Sequence, residues 1–224
     1  MPSLHHRAPE PLFIIQSGSY TGPDQNTIFH KINLHCPLGE ISFCYGPSGS
    51  GRTTLLRILA RDLFLSEGSL WINYSALGLD EVYNEQNYRA QIGWATPKTP
   101  LIPDMTILEN ILLTRQFSQD CPKPQQQQEA EQLLSTFNLL AYSNQPANAC
   151  PEQVQILSRL VQALFVNPKV IFIDNLMHHL SKSKQTLVLQ ILSSLCSHGK
   201  TCIITSHQAL LCHQRSHHIC LTTT

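Results

Sequence analysis

A glycine-rich segment, Gly46–Thr54, has the residue types and spacing needed to hold phosphate. It follows a short apolar run and precedes a helical pattern at residues 55–60, which argues against a simple surface turn. Its glycines let consecutive backbone N–H groups point inward at a helix N-terminus, forming an anion-binding nest. The pattern is a P-loop in which Arg52 replaces lysine, and Thr53 is placed to offer its hydroxyl to Mg²⁺. We predict that phosphate is held by consecutive residues: Gly46, Pro47, Ser48, Gly49, Ser50, Gly51, Arg52, Thr53 and Thr54.

Three short apolar runs predict the strands that position this chemistry: Ile41–Tyr45, Val170–Ile173 and Thr201–Thr205. Short, fully apolar strands with loops at their carboxyl ends are typical of a parallel sheet covered by helices. Ligands of such sheets bind at those carboxyl ends. Because Asp174 follows the second run and His207 closely follows the third, we expect both residues to lie near the phosphate loop.

Helical apolar spacing predicts further helices at Ile107–Gln116, Glu129–Leu140 and Ser183–His198. The glutamine run at residues 125–128 fits the polar start of a helix better than an interaction tract. We predict a core made of residues 1–96 and 166–224, into which a helical subdomain is inserted at residues 97–165.

The bulk composition excludes some partners and leaves others open. Lys+Arg and Asp+Glu both number 15, so the zero net charge argues against a nucleic-acid partner. Charged residues are 13% of the chain, a low fraction that fits either a surface covered by partners or a drift toward uncharged polar residues. No apolar run is long enough for a membrane span, and residues 1–11 show no secretory signal. The eight scattered cysteines favour reduced, buried thiols and a cytosolic location.

Four segments resemble the ATP-binding cassette (ABC) ATPase family: residues 46–51, Pro103–Asn110, Asn167–Asp174 and Thr205–His207. In order, they resemble its phosphate loop, the segment after its Q-loop, its Walker B strand and its switch-histidine loop. The resemblance spans nearly the whole chain and implies an α/β fold. This fold is a P-loop NTPase core with a mostly parallel sheet, an antiparallel β edge and an inserted helical subdomain. Within the family, the sequence Met105–Asn110 looks most like that of the small subunits that serve lipoprotein release and cell division.

The resemblance also implies ligands. ATP and Mg²⁺ would be the cofactors, with Thr53 and Asp174 holding Mg²⁺ and His207 as the switch histidine. Tyr20 lies 26 residues before Gly46, where the family places the aromatic ring that stacks on adenine. An ordinary tyrosine at a strand edge is the alternative interpretation of Tyr20.

The implied partners are an integral membrane permease-type subunit and a second nucleotide-binding domain, in a homodimer or a heterodimer. Such a chain would lie peripherally on the cytoplasmic face of the inner membrane. The family contacts its permeases through the segment that corresponds to residues 97–110, so we expect Glu109→Lys to weaken assembly. We likewise expect Gly51→Asp to abolish ATP binding by projecting a carboxylate into the phosphate nest.

Several positions depart from the family's pattern. The Q-loop glutamine falls on Pro97, which has no polar side-chain group, and the catalytic glutamate falls on Asn175. The signature motif falls on Cys150–Val154. There Pro151 lacks an N–H, and Glu152 would bring a negative charge toward the phosphate oxygens of a facing subunit.

These departures predict a degenerate active site. Arg52 keeps a positive charge, but its planar fork is larger than an ammonium group. The amide of Asn175 can hold a water molecule but cannot accept its proton. The loop that follows also lacks the family's acidic residue at Ser181. His207 is retained, so we expect ATP binding with slow or absent hydrolysis, and whether the chain is an enzyme stays open.

Two other functions remain open. The chain could be a pseudo-ATPase scaffold that docks a membrane protein without needing nucleotide. A metal-binding module could instead use the soft ligands of the tail, which are Cys212, His213, His217, His218 and Cys220. Residues 218–221 predict a final strand, which would point alternate side chains to opposite faces and argues against the metal site.

Overall fold

The computed structural model describes residues 10–79, 84–116, 122–207 and 216–221. The strands in these ranges are β1 (Pro11–Thr21), β2 (Thr27–Pro37), β3 (Ile41–Tyr45), β4 (Glu67–Ile72), β5 (Ile92–Ala95), β6 (Val170–Asp174), β7 (Thr201–Ser206) and β8 (Ser216–Cys220). The α-helices are α1 (Arg52–Leu59), α2 (Glu85–Ala90), α3 (Ile107–Leu113), α4 (Lys123–Thr136), α5 (Glu152–Phe165) and α6 (Lys182–Ser197). Among these helices, none has the length and apolarity that a membrane crossing requires.

A parallel sheet forms the centre of the molecule, with the strand order β5-β6-β7-β3-β8. The pairs within it are parallel, and β7 lies between β6 and β3. Every residue of β6 is buried, as expected for a strand covered by helices on both faces. The three strands predicted from apolar runs are confirmed. Their order brings the loops after β3, β6 and β7 together at one edge of the sheet.

A second sheet is antiparallel, with the strand order β2-β1-β4. It provides the predicted antiparallel element as a separate three-stranded sheet. The β1–β2 register shifts at several points, and Ser17 and Lys31 have positive φ angles of 48° at these irregularities. The extra twist lets the two long strands wrap over the core.

The parallel sheet separates two hydrophobic clusters. Ile171 and Ile173 of β6 pack with α5 and α6, while Val170 and Phe172 face α1 and the antiparallel sheet. This alternation follows from the two-residue period of a strand. Five cysteines are buried and unpaired among the described residues, which confirms the expectation of buried thiols: Cys36, Cys44, Cys150, Cys196 and Cys202. Burial raises the pKa values of Cys36 and Cys44 to about 12, so these two thiols stay protonated.

The predicted helices are confirmed, with shifted ends. α4 begins at Lys123, so the glutamine run lies in its first turns as predicted, and Gln126 is buried. α3 begins with a capping box in which Thr106 and Glu109 satisfy each other's backbone N–H groups. α5 packs on β5 and β6 as well as on α3 and α4, so it bridges the core and the helical lobe. The domain boundaries at residues 97 and 165 stay a prediction.

Candidate nucleotide site

The phosphate loop connects β3 to α1 and owes its shape to two glycines. Gly49 and Gly51 both have a φ of 84°, a left-handed conformation that side chains disfavour. The backbone N–H of Ser50 donates to the carbonyl of Pro47, which tightens the turn, and that of Gly46 donates to the carbonyl of Ser206. These bonds hold the loop against the end of β7, just ahead of the start of α1.

The two glycines differ in what surrounds them, and this corrects one expectation. A Cβ atom at Gly51 would lie 2.5 Å from Cγ2 of Ile28 and 2.9 Å from Cδ1 of Phe29. A carboxylate at Gly51 would thus collide with β2 instead of projecting into the nest, and the loss of binding would reflect misfolding. A Cβ at Gly49 meets nothing within 4 Å, so Gly49 is the position from which a side chain reaches open space.

Asp174 joins the loop to β7 through two short hydrogen bonds. The hydroxyl of Thr53 donates to Oδ2 of Asp174 at 2.7 Å, and the hydroxyl of Thr205 donates to Oδ1 at 2.6 Å. Asp174 is only 6% exposed. The structure therefore brings together the two residues predicted to hold Mg²⁺. Thr205 is a site residue that the sequence did not single out, because a threonine late in a strand is ordinary by β propensity.

Arg52 is 5% exposed and lies across the loop from His207. Its Nη2 is 3.0 Å from Nδ1 of His207, while its Nη1 is buried without a hydrogen-bond partner in the described part of the chain. Burial lowers the pKa of the Arg52 guanidinium, and the carboxylate of Asp174 acts in the opposite direction. Arginine remains charged in proteins, so the loop contains a buried cation with unused hydrogen-bonding capacity.

Asn175 occupies the position of the expected catalytic acid. It has a positive φ of 51°, a conformation that asparagine tolerates better than most residues. Its backbone N–H donates to the hydroxyl of Thr205 at 3.0 Å. Its side-chain Oδ1 is buried without a partner among the described residues. The amide oxygen is therefore available to accept a hydrogen bond from a ligand or a water molecule.

A row of histidines extends from this site toward α5. The ring of His178 lies 5.4 Å from that of His207 and 3.9 Å from that of His179, and Nδ1 of His179 is 3.7 Å from Oε1 of Glu152. Burial lowers the pKa of His178, and the neighbouring His179, His207 and Arg52 lower it further. The sequence analysis missed His178. Two consecutive histidines four residues after Asp174 were the available signal.

Tyr20 is linked to the phosphate loop indirectly, by way of its neighbour Phe29 on β2. It pairs with Phe29 across β1 and β2, and the two ring centroids are 6.2 Å apart. Phe29 in turn packs against Gly51. Tyr20 is partly exposed. The stacking of Tyr20 on adenine stays a prediction.

The other departures from the family pattern lie in turns. Pro97 follows β5 in a turn closed by the N–H of Thr99 and the carbonyl of Thr96. Pro151 is the N-cap of α5, and Glu152 is the first helical residue, with its side chain 76% exposed. The start of α5 does not offer the glycine-rich backbone that a phosphate nest requires.

The tail gives no support to the metal hypothesis. Cys212 and His213 lie outside the described residues. His217 is 2.9 Å from Glu40, His218 stacks on Phe43, and Cys220 is exposed. In the ranges that the structure describes, no group of three or more His, Cys, Asp or Glu side chains could hold a metal ion.

Comparisons with known proteins agree with this geometry. The family model described as ABC transporter matches residues 29–178. The glutamine transport ATP-binding protein GlnQ of Escherichia coli is 28% identical over 188 residues, which cover 84% of this chain and 77% of that protein. The macrolide export ATP-binding/permease protein MacB of Bdellovibrio bacteriovorus is 27% identical over 197 residues, covering 87% of this chain but 30% of that protein.

Solved structures show the same fold. The dimeric structure of MJ0796, a bacterial ABC transporter cassette, matches with a TM-score of 0.73 at 23% identity, covering 88% of both chains. The predicted α/β fold is confirmed by this match. Since the family model covers well over half of the chain, this protein belongs to the ABC transporter family.

Proposed function

We propose that this chain is the nucleotide-binding subunit of an ABC-type membrane transport complex, and that it binds Mg-ATP but hydrolyses it slowly or not at all. One observation carries the proposal. Within the described residues, three buried polar atoms without partners surround the phosphate loop: Ser50 Oγ, Arg52 Nη1 and Asn175 Oδ1. A buried polar atom left unpaired costs about 1–3 kcal/mol, so such a cluster fits a site that a polar ligand completes.

The residues present suit Mg-ATP. The backbone nest and Arg52 would bind phosphates, while Thr53 and Asp174 would hold Mg²⁺ and Thr205 would orient the carboxylate. A bound Mg²⁺ would neutralise phosphate charge and polarise the phosphoryl oxygens. Tyr20 would stack on the base. These residues support binding of Mg-ATP without any dependence on a catalytic base.

Slow hydrolysis is proposed because the groups that would activate water are replaced. Asn175 can orient a water molecule through Oδ1, but an amide does not take up its proton. Pro97 contributes no polar side-chain atom. In a head-to-tail dimer, Glu152 of a facing copy would bring a carboxylate toward the γ-phosphate, where the family uses backbone amides. The two composite sites would both be impaired.

Partners and location follow the resemblance as proposals: a permease-type membrane subunit, a second nucleotide-binding domain, and the cytoplasmic face of the inner membrane. The surface at residues 97–110 includes Ile102, whose side chain is 42% exposed. Glu109 is a poor test residue because its carboxylate forms the capping box of α3. Ile102→Glu tests docking without removing that cap. Loss of membrane association by this variant would support the docking surface, and unchanged association would contradict it.

The transport subtype is also a proposal. GlnQ is named for glutamine transport and MacB for macrolide export. The lipoprotein-release or cell-division subtype is supported here by the amino-acid sequence of residues 103–110. Identification of the membrane subunit that co-purifies with the chain tests it.

Calorimetric titration with Mg-ATP tests the proposed function. We expect a dissociation constant on the order of tens of micromolar to millimolar, and no binding by Gly49→Asp. The aspartate at Gly49 has open space and would oppose phosphate, whereas Gly49→Asn provides the matched neutral control. A folded wild-type chain that shows no heat up to several millimolar would favour the nucleotide-independent scaffold. The contact between Arg52 and His207 supports this scaffold alternative, because it gives the Arg52 guanidinium one hydrogen-bond partner without any ligand.

A further inference from the structure

The contact between Arg52 and His207 has a defined direction. A guanidinium has donors but no acceptor, so Nδ1 of His207 must accept the hydrogen bond from Nη2 at 3.0 Å. His207 is therefore neutral in this arrangement, with its proton on Nε2. The bond joins the first residue of α1 to the residue that follows β7.

The bond depends on arginine at this position of the loop. The ammonium of a lysine is one bond closer to the backbone than the terminal nitrogens of arginine, so it would fall short of His207 in the same chain path. The backbone around the contact is held on both sides. Gly46 donates to the carbonyl of Ser206, and Thr53 and Thr205 both donate to Asp174. The arginine side chain spans a gap whose two edges are already fixed.

Only half of the guanidinium's outer edge is used. Nη2 contacts His207, whereas Nη1 is buried and has no partner in the described part of the chain. A phosphate group that takes both terminal nitrogens, as arginine prefers, must share Nη2 with His207 or displace it.

We infer that the Arg52–His207 hydrogen bond is an autoinhibitory latch that competes with ATP for the cation of the phosphate loop. This inference rests on the proposed function and adds its regulation. His207 is a positioning residue in this scheme, because it acts on phosphate through Arg52. As a consequence, removing the acceptor at residue 207 strengthens nucleotide binding instead of weakening it. A histidine that contacts the γ-phosphate directly would give the opposite result.

The test compares two nearly isosteric substitutions of the exposed His207. His207→Asn keeps an acceptor at the position of Nδ1, and His207→Leu removes it. By calorimetry with Mg-ATP, we expect His207→Asn to bind like the wild type. We expect His207→Leu to bind about 2- to 10-fold more tightly, the equivalent of one ordinary hydrogen bond. In an Arg52→Lys background, the Asn and Leu variants should bind equally, because the latch is already open.

Equal or weaker binding by His207→Leu would overturn the latch while leaving the proposed function intact. A second readout needs no nucleotide. The ¹⁵N chemical shift of His207 Nδ1, assigned by its absence in His207→Asn, should change when Arg52→Lys removes the donor. An unchanged shift would also overturn the latch. Absence of Mg-ATP binding in the wild type and every variant would contradict the proposed function, and the ¹⁵N shift would still decide whether the latch exists.

Discussion

Two helices of this protein begin where the family resemblance expects phosphate contact, and their first turns differ in kind. α1 follows Gly51 and has no acidic residue in its first turn. α5 follows Pro151 and begins with Glu152. A helix N-terminus carries the equivalent of about half a positive charge, which attracts an anion. At α1 this partial positive charge is free to attract a ligand, whereas at α5 the carboxylate of Glu152 already lies in the first turn.

The comparison shows how one feature can serve folding at one place and binding at another. Glu152 stabilises the start of α5 and would for the same reason oppose a phosphate from a facing subunit. At α1, the left-handed glycines do little for the isolated fold, and neither does Arg52 Nη1, which has no hydrogen-bond partner among the described residues. The chain thus combines a helix start suited to a ligand with one that is satisfied by itself.

The largest expected effect comes from repairing both helix starts together. Asn175→Glu with Arg52→Lys restores a base and an ammonium on one side. Pro151→Ser with Glu152→Gly and Gln153→Gly restores a glycine-rich start of α5. We expect little phosphate release from either set alone and a gain of about 10²–10⁴-fold from the combination, the typical contribution of a positioned base.

Phosphate release at saturating Mg-ATP measures this gain, and denaturant unfolding of each variant checks that it is folded. The full gain from the first set alone would show that the start of α5 does not limit activity.

Thr205→Val should weaken Mg-ATP binding by about 10- to 100-fold, because it removes the hydroxyl that orients the Asp174 carboxylate. Thr201→Val is the matched control on the same strand. It also removes a buried hydroxyl, which accepts from the N–H of Gly39 far from the site. Titration calorimetry should find reduced affinity in the first variant alone. Equal losses in both would indicate a general effect of β7 on stability.

Tyr20→Ala should weaken ATP binding by about 1–3 kcal/mol if the ring stacks on the base. Tyr20→Phe keeps the aromatic face and should bind as the wild type does. Inorganic triphosphate, which has no base, should bind both variants and the wild type equally. If alanine at this position leaves the affinity for ATP unchanged, Tyr20 is an ordinary strand-edge residue.

The smallest expected effect is on folding. Glu152→Gln should lower the free energy of unfolding by about 0.3–1 kcal/mol at most, since the carboxylate is largely exposed and screened. Thr54→Glu introduces a carboxylate into the first turn of α1, where it should weaken Mg-ATP binding without loss of stability. Denaturant titrations and calorimetry measure the two effects. A Thr54→Glu variant that binds normally would remove the proposed distinction between the helix starts.

The sequence was sufficient for those features that local patterns encode. β3, β6 and β7 were predicted from apolar runs, and their parallel pairing explains why Asp174 meets Thr53. Contacts across the fold were not predictable in this way. The Arg52–His207 bond joins residues 155 positions apart, and the packing of Gly51 against Phe29 depends on where β2 lies.

Glu109 illustrates a different limit of the sequence analysis. Its place in the segment by which the family contacts its permeases suggested a charge available for docking, but its carboxylate accepts hydrogen bonds from Thr106 in the capping box. The spacing of a threonine and a glutamate three residues later was the available signal.

We propose that this site binds ATP without efficient turnover, and one sample of the wild-type chain is enough to test this. Bound nucleotide and released phosphate are measured together at saturating Mg-ATP, with Asp174→Asn as the reference for contaminating activity. We predict saturable binding with phosphate release no higher than in the Asp174→Asn sample. Robust release by the wild type that Asp174→Asn abolishes would contradict it, and would mean that the catalytic acid or the signature segment lies elsewhere in the chain.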